Sequence, residues 1–194
     1  MPQFDLRGIK CAAYTNNNGT VSYTSAQSVG DAMTASLEMR YAEGRLYAES
    51  TLAEFMKKAT GGTISLGVKY IKNSAQQLMF GSTTKSRSVT VGTTSTNVSG
   101  LVLGAKSDSA YVGIAFYAPD MVDGTEKFTC VFVHKCLFGP PSMSLQTAGD
   151  SIQFNTPVTT GEFLASDNSS QDMLEVAVCA TEAEAIAWVS AVLA

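Results

Sequence analysis

The stretch "FTCVFVHKCLFGPP", residues 128–141, holds the chain's only histidine, His134, between Cys130 and Cys136, two of its four cysteines. Cysteine and histidine are zinc ligands, and a Cys–His pair is a nucleophile with its base. On a strand, alternate residues share a face, so Cys130, Phe132, His134 and Cys136 are expected to point the same way. Neighbours on that face lie about 7 Å apart along the strand, too far to share one metal. A structural zinc needs about four ligands. One strand supplies at most three, and a fourth from Cys11 or Cys179 has no support in the spacing. The same separation keeps Cys136 from a hydrogen bond to His134. The expected role is packing in a core or an interface, where free cysteine is at home.

The second candidate is "GDSI", residues 149–152. Asp150-Ser151 resembles the Gly-Asp-Ser signature of one esterase family, which places its serine early and its histidine late. Here Ser151 stands late, and the single histidine lies upstream. A serine nucleophile needs a positioned base, so a turn into the strand "SIQFN" is expected instead. There is no phosphate-loop or dinucleotide-binding glycine pattern. No catalytic residue, cofactor or metal is expected, and the chain is not expected to be an enzyme.

These residues sit in a chain of 194 residues, enough for one domain spanning 1–194. Charged residues make up only 15%, against a usual quarter. Such a surface is rich in Ser, Thr and Gly, as in "GTTSTNVSG", or is covered by partners. The net charge of −4 and the lack of a basic block argue against a tight grip on DNA phosphates. The polar start "MPQFDLRGIK" has no secretory pattern, and no apolar run reaches the roughly 18 residues that span a bilayer. A soluble chain with free thiols, folded in a cytoplasm, is the expectation.

Period-two patterns dominate. "AMTASLEMRYA" alternates Met33, Ala35, Leu37, Met39 and Tyr41 with polar residues, and Glu43-Gly44 then allows a tight reversal into "RLYAE". Thr51 and Glu54 read as a capping box for a helix with the stripe Leu52, Phe55, Met56 and Ala59, stopped at Gly61-Gly62. "TISLGVKY" is a strand. Ser74 with Gln77 caps a short helix that Gly81 ends. Residues 82–109 form a polar insert, expected as a long hairpin. "YVGIAFYAP" and "EKFTCVFVHKCLF" flank a turn at Asp123-Gly124, and Pro140-Pro141 ends the second. "SIQFN", "TTGEFLA" and "MLEVAVCA" are further strands, and Thr181 with Glu184 caps a helix over 181–194. The sum is a mainly β chain with helices, a sandwich or barrel with helical decoration.

Four stretches together resemble the major tail (tail tube) proteins of long-tailed, non-contractile bacteriophages. They are "LRGIKCAAYT", "AMTASLEMRYAEGRLYAESTLAEFMKKATGGTISLGV", the segment from "YVGIAFYAP" to "TTGEF", and the helical tail. The most specific pieces are "YAEGRLYAES" with its following "LAE", and "TAGDSIQF" with its following "TP" and "TGE". The resemblance implies a β-sandwich with a packed helix, six copies closed into a ring, and rings stacked around a tape-measure protein. It implies location in the virion tail after assembly in the host cytoplasm. Tail terminator and baseplate proteins are implied partners, and double-stranded DNA would pass through the lumen without specific binding. Candidate assembly contacts are Tyr41, Glu43, Gly44, Arg45, Tyr47, Lys85 and Arg87. A tail terminator or baseplate tube protein on the same fold is the alternative, followed by a small Cys/His metal protein or a hydrolase. The insert is longer and more polar than the family pattern, and the face of His134 stays open between core, neighbouring subunit and lumen.

Overall fold

A computed structural model describes residues 5–122, 124–142, 147 and 156–194. The Gly-Asp-Ser stretch and the expected strand "SIQFN" lie outside the described residues. In chain order the strands are β1 (Arg7–Asn17), β2 (Thr20–Ser28), β3 (Ala32–Ala48) and β4 (Thr51–Val68). Helix α1 (Asn73–Phe80) follows, then β5 (Thr83–Val91), β6 (Thr94–Val102), β7 (Val112–Val122) and β8 (Thr125–Phe138). Strands β9 (Val158–Leu164) and β10 (Leu174–Cys179) lead to helix α2 (Glu182–Ala191). The described residues are thus mostly antiparallel β, with two short helices. Neither helix is long and apolar enough to cross a membrane.

One eight-stranded sheet carries the order β2-β1-β7-β8-β9-β4-β3, with β10 added to β8; β5 and β6 form a separate pair. Tight hairpins set the registers. Ala48 pairs with Thr51 across Glu49-Ser50, both with positive φ (49° and 65°). Asn17 pairs with Thr20 across Asn18-Gly19, also both positive (51° and 86°). Two left-handed residues are the mark of the turn whose twist matches flanking strands.

Two cores lie on opposite faces of the central strands. On one face Val112, Ile114 and Phe116 of β7 and Val133 of β8 meet Ile64, Leu66 and Val68 of β4, Phe163 of β9, and Ala75, Met79 and Phe80 of α1. On the other, Ala115, Tyr117, Phe128, Cys130 and Phe132 meet Ala185, Val189 and Leu193 of the C-terminal helical segment. Helix α2 starts with the expected capping box: the Glu184 amide donates to Thr181 Oγ1 (3.3 Å), and the Thr181 amide donates to Glu184 Oε2 (3.2 Å).

Several expectations are corrected. Residues 51–59 are strand, not helix: Thr51 Oγ1 donates to the Ala48 carbonyl in the turn (2.8 Å), and Glu54 pairs with Leu46. Continuous pairing with β3 outweighs the helix propensity of "LAEFMKKA". Glu43-Gly44 is no reversal, since β3 runs on to Ala48. Gly61-Gly62 is no helix stop either. It lies within β4, where a Cβ on Gly62 would run into the Phe163 ring and the Glu38 carbonyl. Helix α1 has the expected left-handed Gly81 at its end, but Lys72 begins it without a side-chain cap. The Gln77 amide instead donates to Thr84 Oγ1 (2.5 Å).

Candidate assembly surface

The expectation that Cys130, Phe132, His134 and Cys136 share one face holds as far as His134, whose ring lies against Phe132 and Tyr23, and fails at Cys136. Ile114 pairs with Val133, while Val112 pairs with Cys136, so β8 carries an extra residue between them. A bulge of this kind shifts the alternation by one. It sits where β8 changes neighbours: Val133 is the last residue paired with β10, and Lys135 the first paired with β9. Cys136 therefore enters the core beneath β4, while Cys130 and Phe132 enter the core beneath α2. Among the described residues no three His, Cys, Asp or Glu side chains come together as a metal site.

His134 is half-buried at the bulge. Tyr23 Oη lies 3.2 Å from its Nδ1 and donates to its carbonyl (3.1 Å), and its ring tilts against Phe132 at 4.3 Å. Burial lowers its pKa from the ordinary value, against a smaller pull upward from Asp172 and Glu175. Burial pushes the Cys11 thiol up to about 12 and raises Cys136 as well. These thiols are poor nucleophiles near neutral pH. Lys135, next along the strand, donates to Asp167 (2.8 Å) beside the rings of Tyr14 and Tyr111. Each of these residues is occupied by its own neighbours, as packing requires.

Among the described residues, the distal half of the β3–β4 hairpin is a bare surface. Every residue from 40 to 58 is exposed. Tyr41, Glu43, Arg45 and Tyr47 lie along one face by alternation, opposite Ala59, Lys57, Phe55 and Leu52. Lys57 Nζ stands over the Tyr41 ring (4.3 Å) and 3.2 Å from Glu43, while the Arg45 guanidinium stands over Phe55 (5.5 Å). The opposite face carries Ala42, Gly44 and Leu46 against Lys58, Met56 and Glu54. Leu46 is 58% exposed and Met56 73%. A side chain added at Gly44 would meet nothing within 4 Å, so the chain itself gives no reason for a glycine there.

Five of the seven expected contact residues thus share one arm, Gly44 on the face opposite the other four. Lys85 and Arg87 lie elsewhere, on the separate β5–β6 hairpin, facing Gly100 and Val98. That hairpin is the expected form of the polar insert; along β5, Thr84, Ser86, Ser88 and Thr90 take one face and Lys85, Arg87, Val89 and Val91 the other. The sequence reading missed Leu46, Leu52, Phe55 and Met56 as surface residues, because it turned the chain at Gly44 and coiled 51–59 into a helix. The signal for the longer arm is parity: Tyr41, Glu43, Arg45 and Tyr47 alternate without a break through Gly44.

No protein-family model and no curated protein matches the chain.

Proposed function

We propose that the chain is a structural subunit of a phage tail tube, one that closes with copies of itself into six-fold rings and stacks these into a conduit. The observation that carries this reading is the bare arm of β3 and β4, with apolar side chains on both faces. Large exposed apolar patches on a soluble chain mark interaction sites, and this arm has Tyr41, Tyr47, Leu52 and Phe55 on one side and Leu46 and Met56 on the other. Among the described residues β2 and β3 stand at the two ends of the main strand order, and β10, paired with β8 alone, has an open edge as well. An unpaired edge is a template for another chain, and closure into a ring removes it. A contact between an arm and a different patch on the next copy is head-to-tail, which closes rings rather than pairs. Gly44 fits close approach of a neighbour's backbone, one of the uses of glycine inside a strand.

In this reading the chain performs no catalysis. Its partners are further copies, a tape-measure protein in the lumen, and terminator and baseplate proteins at the tube ends. A net charge of −4 suits a conduit through which DNA slides without being held. The test is negative-stain electron microscopy of the purified protein at rising concentration. Rings or tubes are the expected result, and a chain that stays monomeric at millimolar concentration contradicts it. The abundance of the protein in purified particles separates a major tube subunit from a terminator or baseplate component.

A further inference from the structure

Two of the four thiols lie together: Cys130 Sγ and Cys179 Sγ are 3.7 Å apart. They come from adjacent strands, Cys130 opposite Ala177 and Cys179 opposite Phe128, with both side chains on the face covered by α2. The other two are elsewhere. Cys11 and Cys136 are buried in the core on the far face of the sheet. The bulge in β8 puts that sheet between Cys130 and Cys136, its nearest cysteine in sequence. Cys130 therefore has one partner within reach, and it is 49 residues away.

We propose that Cys130 and Cys179 are a site of reversible disulfide formation that ties the C-terminal segment, β10 and α2, to β8. Cys179 is half-buried, whereas Cys130 is buried, so an oxidant reaches Cys179 first. With a small disulfide RSSR as oxidant, the Cys179 thiolate attacks one sulfur, the S–S bond of the reagent breaks, and RS⁻ leaves. The Cys130 thiolate then attacks Sγ of Cys179, forming the protein disulfide and expelling the second RS⁻. The two protein thiols are oxidised, the reagent is reduced to two RSH, and the protons of the two cysteines end on them.

The sulfurs must close from 3.7 Å to about 2.0 Å. Cys179 is the last residue of β10, which among the described residues pairs with β8 alone, and side-chain rotation of the two cysteines can supply part of this closure. Burial and the neighbouring Cys179 thiol push Cys130 up to about 12, so little of it is thiolate near neutral pH and closure is faster at higher pH. The bridge staples the strand that leads directly into the cap of α2 at Thr181.

The experiment incubates the folded chain with 2-hydroxyethyl disulfide, alkylates the remaining thiols after unfolding, and maps linked peptides by mass spectrometry without reduction. The expected result is loss of two thiols and a peptide joining Cys130 to Cys179. The bridge should persist in Cys11→Ser and Cys136→Ser and be absent in Cys179→Ser. In denaturant the same reagent should shift the main product to Cys130–Cys136, because the shorter loop closes more readily. Four alkylated thiols in the folded chain, an adduct that stops at Cys179, or Cys130–Cys136 as the folded-state product would each overturn the proposal. None of these outcomes depends on whether the chain forms a tube.

Discussion

The β7–β8 and β3–β4 hairpins are built from similar residues and end differently. Both alternate apolar and polar or small side chains, and both are antiparallel pairs of consecutive strands. Along β7–β8 both faces are covered, one by β4, β9 and α1 and the other by α2, so Ile114, Phe128, Phe132 and Val133 are all buried. Along β3–β4 only the proximal half is covered. Ile64, Leu66 and Val68 reach the core, while Tyr47, Leu52, Phe55 and Met56 stay in solvent. Alternation therefore reports a strand and its two faces, but not whether the same chain supplies the cover. Burying a large apolar side chain contributes roughly 1.5–3 kcal/mol, so an arm left bare holds association energy that a second molecule can use.

Breaking the covered hairpin should have the largest effect on folding. Phe132→Ala empties a site packed between Tyr23, His134 and the α2 core, and should cost about 3–5 kcal/mol in urea denaturation. At the boundary between covered and bare halves, Gly62→Ala should cost about 1–3 kcal/mol, since its Cβ meets Phe163 and the Glu38 backbone. Removing the α2 cap with Thr181→Ala should cost about 1 kcal/mol and loosen the outer layer over β7–β8.

A pH series sharpens the same contrast. His134 has a folded pKa below its ordinary value of about 6.5. Between those two values the unfolded chain binds the extra proton, so the contribution is present above about 6.5 and is lost as pH falls through the folded value. Stability should fall on acidification through this window, and His134→Gln should remove that part of the fall. An unchanged slope in the variant contradicts the assignment. The smallest effect on folding is expected on the arm, where Leu46→Ser with Met56→Ser should change the unfolding free energy by no more than about 0.5 kcal/mol in urea denaturation.

Much of the architecture is legible in the residues. The β7–β8 hairpin, the strands at 158–164 and 174–179, the insert hairpin and the capped helix α2 each follow from local alternation, turn residues or the Thr181–Glu184 box. Two features are not local. Thr51-x-x-Glu54 with a 3.6-residue stripe is a sound helix signal, and only pairing with β3 across Glu49-Ser50 overrides it. The bulge that separates Cys136 from Cys130 arises where β8 exchanges β10 for β9, a junction between distant strands that no window around His134 contains. Of the candidate surface, the aromatic and charged row Tyr41 to Tyr47 was readable, while Leu46 and Met56 were hidden by the assumed reversal at Gly44. His134, open in sequence between three environments, faces Tyr23 and Phe132 within its own chain.

The most direct test of the arm as the assembly surface is sedimentation velocity across a concentration series on the wild-type chain and Gly44→Val. A side chain at Gly44 meets nothing inside the chain, so the variant should unfold at the same denaturant concentration as the wild type. Ring-sized or larger species are expected for the wild type and monomer for Gly44→Val under the same conditions. Equal association of the two, or a wild type that stays monomeric throughout, would contradict the arm's role as the assembly surface.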